Sequence, residues 1–292
     1  MIRLFKLNEN IGAIFAILAF FLFAILDVFQ KYGTIFHTVF QIMLCKYLFL
    51  FFFSLIESVR KNNRNFWKTN NLKLQFLRSI LSLFESGFFI LSFKYLSLAS
   101  AHSIQAFTPL IVIVLAFVFL KEKIDTKTWI AVACGFIGVI IILRPGLGIF
   151  DIKIFIPLAG AFFLSLYQII TRLVSYVDEN ETSLFYTSIT GLITMSVLGN
   201  FYWINFNSQS FFIFFGIGIF YSLGYYCQII ALSKSPASKI QPFHFTAFFW
   251  AVIFGFIFYN NIPDKFTIIG AIVIILSGIY ALKSKRASNQ SN

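Results

Sequence analysis

Residues Arg78 to Leu120 read RSILSLFESGFFILSFKYLSLASAHSIQAFTPLIVIVLAFVFL. Arg78, Glu85 and Lys94 are the charged side chains of this stretch, and no Lys, Arg, Asp or Glu occurs from Tyr95 onward. A helix that crosses the hydrocarbon core needs about 20 mostly apolar residues, and a backbone in lipid must satisfy its own hydrogen bonds. The stretch is therefore long enough for two membrane-spanning helices joined by a short turn.

The rest of the chain has the same apolar character. Hydrophobic residues make up 59% of the 292 residues, Phe occurs 42 times, and charged residues make up only 12%. A soluble globular domain carries roughly a quarter charged residues, so this composition leaves too little polar surface for a water-soluble particle. We therefore predict an all-α integral membrane protein with ten transmembrane helices. These predicted spans 1 to 10 cover residues 11–30, 36–57, 74–96, 99–120, 127–144, 153–175, 182–203, 209–232, 236–259 and 265–282.

Basic residues are distributed unevenly between the two sides of the predicted membrane. An even number of spans places both termini on one side, and most Lys and Arg residues lie in loops on that side, with the largest group in residues 60–73. The positive-inside rule assigns such loops to the cytoplasm. We therefore predict that the N- and C-termini are cytoplasmic. We attribute the net charge of +12 to this topology and expect no nucleic-acid partner.

Short sequence matches relate the two halves of the chain. The tetrapeptide AFFL occurs at residues 19–22 in span 1 and at residues 161–164 in span 6, and the pattern A-x-x-I-Q-x-F opens both span 4 and span 9. Five spans per half is an odd number, so the second half enters the membrane in the opposite orientation. The sequence thus predicts a 5+5 inverted repeat of residues 1–146 and 147–292, which is typical of secondary transporters.

Polar residues inside the predicted spans are the candidate functional residues. A charged side chain at the bilayer centre costs roughly 2.5–3.5 kcal/mol on insertion scales, so such residues face the bundle interior and often mark function. Aromatic rings combined with amides suit a planar ligand rich in heteroatoms. The candidates for substrate binding or coupling are Asp27, Lys46, Glu85, His102, Gln105, Tyr167, Gln168, Tyr225, Tyr226, Gln228, Gln241, His244 and Trp250.

Several of these charges also have structural interpretations. Lys46 and Glu85 lie at similar predicted depth. Either the two form a structural ion pair, or Glu85 acts as a proton-coupling carboxylate or a cation site. Asp27 either pairs with Lys31, one turn away, or is an outer-gate residue that meets a cationic substrate. Arg78 is expected to extend to the cytoplasmic interface, and the alternative is a clamp for a carboxylate or phosphate group.

Motifs of enzymes and metal proteins are missing from the sequence. It contains no Walker loop, GxSxG or HExxH motif, and Cys45, Cys134 and Cys227 lie in apolar segments without a CxxC spacing. We therefore predict that the protein is not an enzyme and that it binds no cofactor and no metal. The expected partners are a small-molecule substrate and the lipid bilayer, and homodimerisation stays open.

A longer pattern around the first quoted stretch carries a family resemblance. It joins an Arg that opens span 3, a Tyr-x-Ser-Leu-Ala step, a Pro inside span 4, a Glu at its end, and a Gly-rich span 5 followed by Arg-Pro: Arg78, Tyr95–Ala99, Pro109, Glu122, Gly135, Gly138, Arg144 and Pro145. The second half repeats it around Pro242 and Pro263–Asp264, although Asn260 and Asn261 stand where related chains often carry a Glu. The chain resembles the drug/metabolite transporter superfamily, in its EamA-type ten-helix branch. The resemblance implies a transporter whose central cavity is lined by spans 1, 3, 4, 6, 8 and 9.

Two segments narrow the resemblance within that branch. DVFQKY at Asp27–Tyr32 and IPDKFTIIGAIVII at Ile262–Ile275 are most similar to S-adenosylmethionine uptake transporters of alphaproteobacteria. We therefore expect a secondary transporter that moves a small organic metabolite across the bacterial inner membrane by alternating access. The favoured substrate is S-adenosylmethionine, by uptake or exchange. Export of amino acids or related metabolites and import of riboflavin are the alternatives.

Overall fold

The computed structural model describes residues 2–120, 126–143, 152–200, 203–235 and 237–290, and these residues form helices and connecting turns without a β-strand. The helices in chain order are α1 (Ile2–Phe36), α2 (Val39–Arg60), α3 (Leu72–Tyr95), α4 (Leu98–Gln105), α5 (Thr108–Leu120), α6 (Thr126–Leu143), α7 (Phe155–Val174), α8 (Asn180–Asn200), α9 (Ser208–Lys234), α10 (Ala237–Tyr259) and α11 (Lys265–Gln290). A short 3₁₀ turn at Ile152–Ile154 precedes α7.

Eight segments of the described chain are long and apolar enough to cross a membrane. One of them, Leu98–Phe119, combines α4 and α5, and two shorter apolar helices occupy Thr126–Ile142 and Lys265–Ala281. Each of the ten predicted spans coincides in position with one of these ten segments. The structure thus shows an all-helical membrane protein with eight full-length candidate spans, and the count of ten crossings stays a prediction.

Side-chain caps and one proline set the helix boundaries near the centre of the molecule. Ser97 caps α4 by accepting a hydrogen bond from the backbone N–H of Ser100 at 3.1 Å, as N-cap serines do. Pro109 has no N–H to donate to the carbonyl of Gln105, and its ring would clash with that carbonyl in a continuous helix. Predicted span 4 is therefore interrupted after Gln105, where α4 ends and α5 begins.

The molecule is apolar on its outside and polar at its centre. Large apolar side chains face outward along the bundle, among them Phe211, Phe212 and Leu276, which are 68%, 71% and 62% exposed. Arg78 and Lys46 are buried inside the bundle. In water this arrangement would expose a large apolar surface to solvent. In a bilayer the Phe-rich perimeter contacts lipid, and the polar groups are buried inside the bundle.

Helix packing divides the centre of the bundle into two groups that face each other. In one group α1 packs along α9 and α10, and in the other α7 packs along α3, α4 and α5. The helices α2 and α8 pack on each other beside these groups, as do α6 and α11. If each predicted span is replaced by the span five positions along the chain, the contacts of α1 become those of α7, and the α2–α8 and α6–α11 contacts stay the same. This symmetry supports the predicted repeat.

Candidate functional site

A polar cavity lies between the α1–α9–α10 group and the α3–α4–α5–α7 group. Its volume is about 70 Å³, enough for about two water molecules at roughly 30 Å³ each. The lining comes from α1, α3, α4, α7, α9 and α10, which correspond to predicted spans 1, 3, 4, 6, 8 and 9, and α2 adds Lys46. The lining residues are Phe20, Phe23, Leu26, Asp27, Gln30, Lys46, Glu85, Ser86, Phe89, His102, Gln105, Leu164, Tyr167, Tyr221, Tyr225, Gln228, His244 and Ala247.

Most of the polar residues singled out from the sequence meet at this cavity. Those that line it are Asp27, Lys46, Glu85, His102, Gln105, Tyr167, Tyr225, Gln228 and His244. Gln168, Tyr226, Gln241 and Trp250 are not among the lining residues.

A serine hydroxyl joins the two opposite charges, Lys46 of α2 and Glu85 of α3. Lys46 Nζ donates to Ser86 Oγ at 2.7 Å, and Ser86 Oγ donates to Glu85 Oε2 at 3.0 Å. The ammonium also lies 4.1 Å from the centroid of the Tyr221 ring, a cation–π distance. Lys46 and Glu85 are therefore connected through the Ser86 hydroxyl group, which lies between the ammonium and the carboxylate.

Asp27 pairs with a histidine of the opposite helix group. Its Oδ2 lies 2.9 Å from His102 Nε2, and both side chains are buried. The alternative in which Asp27 pairs with Lys31 is wrong. Lys31 Nζ instead donates to the carbonyl oxygens of Phe93 at 3.1 Å and Leu96 at 2.8 Å, since the last turn of α3 offers free acceptors there.

Arg78 lies inside the protein rather than at the membrane interface. It is fully buried and donates to Thr187 Oγ1 at 2.7 Å, to Tyr225 Oη at 3.3 Å, and to the Ser183 carbonyl. The expectation that Arg78 extends to the interface is therefore wrong, because partners on α8 and α9 satisfy its guanidinium in the interior. The bond to Tyr225 connects this cluster to the cavity wall.

Several buried polar atoms around the cavity lack a hydrogen-bond partner among the described residues. They are His102 Nδ1, Gln105 Oε1, Tyr167 Oη, Tyr221 Oη and His244 Nδ1. Buried polar groups in native proteins are nearly always paired, so each such atom needs an explanation such as a ligand or an ordered water. Five such atoms belong to residues that line one cavity, an arrangement expected of a binding site for a polar solute.

The remaining candidates have partners elsewhere. Gln241 Nε2 donates to Gln168 Oε1 at 2.6 Å, which links α10 to α7. Tyr226 donates to the carboxylate of Glu57, near the end of α2. Trp250 packs edge-on against Phe21, with ring centroids 5.0 Å apart.

The loops at the end of the bundle near Tyr226 are joined by a polar seam. Asp178 accepts hydrogen bonds from the Thr69 hydroxyl, from the Asn70 backbone N–H and from Gln75 Nε2. Burial alone would raise the pKa of Asp178, but these hydrogen bonds outweigh it and lower the pKa below its ordinary value. Lys61 lies 2.9 Å from Glu181, and this hydrogen bond raises the Lys61 pKa. The seam joins the α2–α3 loop to the α7–α8 loop at the predicted cytoplasmic end of the bundle.

Sequence reasoning missed part of the cavity wall. Tyr221 lies one helical turn before Tyr225, so the i, i+4 spacing in α9 placed it on the same face. Gln30 lies one turn after Asp27 in α1, but its position near the predicted span end concealed it. Ser86 carried no signal, because a single serine in an apolar helix is as often satisfied by its own backbone.

Comparisons with known proteins identify the family to which the chain is related. The sequence model of the EamA-like transporter family matches residues 10–144 and again residues 152–282. The S-adenosylmethionine uptake transporter of Rickettsia conorii is 27% identical over 271 residues, which cover 91% of this chain and 90% of that protein. The riboflavin transporter of Vibrio cholerae is 27% identical over 190 residues, or 62% of this chain and 63% of that protein.

A solved structure shows the same fold. A protein crystal structure aligns with 97% of this chain and 99% of its own, with a TM-score of 0.69 at 14% sequence identity. The chain belongs to the EamA-like transporter family. It is a bacterial membrane transporter, and neither the family nor these relatives are enzymes.

Proposed function

We propose that the protein is a secondary transporter that takes up or exchanges S-adenosylmethionine by alternating access. The observation that carries this proposal is the charge of the cavity. Asp27 and Glu85 supply two carboxylates to the lining, and Lys46 supplies one ammonium group. When both carboxylates are ionised and the two lining histidines, His102 and His244, are neutral, the lining carries an excess negative charge, which favours a substrate with net positive charge.

S-adenosylmethionine has the matching charge. It carries a sulfonium group, an ammonium group and one carboxylate, so its net charge at neutral pH is positive. Lys46 offers a counter-charge to the substrate carboxylate, and Asp27 and Glu85 offer counter-charges to the two cationic groups. Riboflavin carries no net charge at neutral pH, and a typical amino acid is a zwitterion, so neither complements the excess.

Aromatic rings suit the other end of this substrate. Tyr167 and Tyr221 each lie beside Tyr225, with ring centroids 5.9 Å and 5.3 Å from it, and Phe89 also lines the cavity. Such rings stack on a planar base and accept a cation on their faces. The short distance from Lys46 to Tyr221 shows that one of these faces already receives a positive charge.

The cavity must widen to admit the substrate, because about 70 Å³ is far smaller than a drug-sized ligand site of roughly 300–1,000 Å³. The two facing helix groups support a mechanism in which their separation opens one end at a time. The repeat of residues 1–146 and 147–292, with both termini in the cytoplasm, is part of this proposal. The double match of the family and the exchangeable packing pattern support it.

Counterflow in proteoliposomes tests the substrate. Liposomes loaded with unlabelled S-adenosylmethionine receive labelled S-adenosylmethionine outside, and we expect transient accumulation of label. Excess external riboflavin or alanine leaves this accumulation unchanged. We expect Glu85→Gln and Asp27→Asn each to lower the initial rate at least about tenfold, because each substitution removes the excess negative charge.

The matched control is Glu179→Gln, which removes a carboxylate from an exposed loop position and should keep the wild-type rate. Folded protein without accumulation would refute the assignment of S-adenosylmethionine. Amino acids and riboflavin would then be tested in the same liposomes. Accumulation that survives both cavity substitutions would keep the substrate and remove Glu85 and Asp27 from the binding site.

A further inference from the structure

Two cationic side chains bridge the facing helix groups at opposite ends of the cavity. Lys31, in α1, donates to the Phe93 and Leu96 carbonyl oxygens where α3 ends. Arg172, in α7, donates through Nη1 to the Leu232 carbonyl at 2.8 Å and the Ser233 carbonyl at 3.0 Å, where α9 ends. Each bond therefore connects a helix of one group to a helix of the other.

The two contacts occupy equivalent places in the two halves. The A-x-x-I-Q-x-F match that aligns Ala101 with Ala237 also aligns Leu96 with Leu232. The Leu96 carbonyl accepts from Lys31, and the Leu232 carbonyl accepts from Arg172. The AFFL match in α1 and α7 places Arg172 one position short of the equivalent of Lys31. Because the halves are predicted to have opposite orientations, one contact lies at the periplasmic end of the cavity and the other at the cytoplasmic end.

Both contacts lie beside the turns that lead into predicted spans 4 and 9, each of which contains a proline, Pro109 and Pro242. Leu96 immediately precedes the cap of α4, which ends before Pro109, and Ser233 lies two residues before the cap residue Ser235 of α9. Carbonyls at a helix C-terminus have no partner within the helix and carry partial negative charge, so a cation there forms charge-assisted bonds. Both contacts are formed together, and the cavity between them is small.

We propose that Lys31 and Arg172 are the two latches of the transport cycle, the first holding the periplasmic end of the cavity closed and the second the cytoplasmic end. This inference rests on the proposed transport function. Release of the Lys31 latch separates α1 from the end of α3 and opens the cavity outward. Release of the Arg172 latch separates α7 from the end of α9 and opens it inward. A single polar cavity then serves both sides.

Thiol accessibility tests the latches without any substrate. Cys45, Cys134 and Cys227 are replaced by Ala, and Ala247→Cys supplies one thiol in the cavity wall. A membrane-impermeant maleimide is added to intact cells or to inside-out vesicles. We expect Lys31→Met to raise labelling from the periplasmic side, and Arg172→Met from the cytoplasmic side, each at least about tenfold relative to the other side. Each substitution removes two charge-assisted hydrogen bonds, and the loss of one is enough for this factor.

Matched variants separate latching from general loosening. Lys94→Met and Lys234→Met remove exposed cations near the same helix ends and should leave labelling unchanged. Lys31→Arg and Arg172→Lys keep the cation and should restore the wild-type rates. Lys31→Gln and Arg172→Gln keep a neutral hydrogen-bond donor, so they should shift labelling in the same directions as the Met variants but by a smaller factor. They replace the Met variants if those do not accumulate in the membrane.

The side of labelling decides the outcome. Equal increases on both sides, or no change in protein of wild-type thermal stability, would overturn the latch assignment whatever the substrate. Opposite shifts in a protein that shows no S-adenosylmethionine counterflow would uphold the latches and refute only the substrate.

Discussion

At the scale of single residues, the hydroxyl of Ser86 is the connection on which the charged cavity depends. It accepts from Lys46 and donates to Glu85, so it lets two opposite charges share one buried site without direct contact. Burying a charge is unfavourable unless hydrogen bonds and counter-charges compensate. The serine thus holds both charged groups at the cavity wall, as the proposed binding site requires.

We predict that Ser86→Ala lowers the counterflow rate at least about tenfold, because the Lys46 ammonium and the Glu85 carboxylate lose their common partner. The matched control is Ser92→Ala, on the same helix. Ser92 is also buried, but its hydroxyl donates to the Phe89 carbonyl of its own helix. Counterflow of labelled S-adenosylmethionine, with the melting temperature of both variants, measures the effect. Equal rates in the two variants would contradict the role of Ser86.

Arg78 gives a second prediction, which concerns stability. Lysine cannot reach Thr187, Tyr225 and the Ser183 carbonyl at the same time, so Arg78→Lys should leave buried acceptors without a donor. We expect a loss of about 3 kcal/mol in the free energy of unfolding, measured by denaturant titration in detergent micelles. Arg64→Lys, at an exposed position of the α2–α3 loop, should change it by less than about 0.5 kcal/mol. A similar small change in Arg78→Lys would refute the interior cluster.

The candidate site could be predicted from the sequence as far as residue type and depth allow. Charge in an apolar span identified Asp27, Lys46 and Glu85, since few other reasons place such groups in a membrane. Partners could not be predicted, because they come from other helices. Asp27 met His102 and not its neighbour Lys31, and the position of Arg78 depended on α8 and α9.

At the scale of helices, close packing decides where small residues are required. Gly191 of α8 faces the ring of Tyr47, and a Cβ atom there would lie 2.3 Å from the ring, whereas a Cβ on Gly199 of the same helix would meet only Leu44 at 3.7 Å. Tyr47 is fully buried and cannot move aside. The α2–α8 contact therefore depends on the absence of a side chain at Gly191.

We predict that Gly191→Ala lowers the free energy of unfolding by about 2 kcal/mol, the typical effect of overpacking. Gly199→Ala is the matched control and should be neutral or slightly stabilising, since alanine favours the helix and finds an ordinary contact. Thermal unfolding of both variants in the same detergent measures the difference. If Gly191→Ala melts at or above the temperature of Gly199→Ala, the close approach of α2 and α8 is not as the structure has it.

Helix positions followed from hydropathy because length and apolarity are enforced by the bilayer itself. Their ends did not. Span 1 was predicted to stop at residue 30, whereas α1 continues to Phe36, since polar residues at a membrane surface do not interrupt a helix. Span 4 was predicted as one helix, but it is divided between α4 and α5. Pro109 was evident in the sequence, but whether a proline bends a helix or ends it depends on how the surrounding helices pack.

At the scale of the whole molecule, the uneven distribution of basic residues predicts the membrane orientation, and the proposed side of each latch depends on that orientation. Arg60 ends α2, and the segment between α2 and α3 carries Lys61, Arg64 and Lys68. This segment packs against the α7–α8 loop through Asp178. The positive-inside rule assigns this end to the cytoplasm. Lys31 then lies at the periplasmic end of its helix, and Arg172 at the cytoplasmic end.

Fusions of periplasm-active alkaline phosphatase and cytoplasm-active green fluorescent protein measure this orientation. After Asn292 and after Thr69, we expect fluorescence without phosphatase activity, because both points lie on the basic side. After Ser208, between predicted spans 7 and 8, we expect phosphatase activity without fluorescence. The reverse pattern at all three points would invert the roles of Lys31 and Arg172 while leaving both latches in place. Opposite sides for the fusions after Thr69 and after Asn292 would mean an odd number of spans between them. That result would remove the even span count, and with it the inverted repeat that relates the two latches.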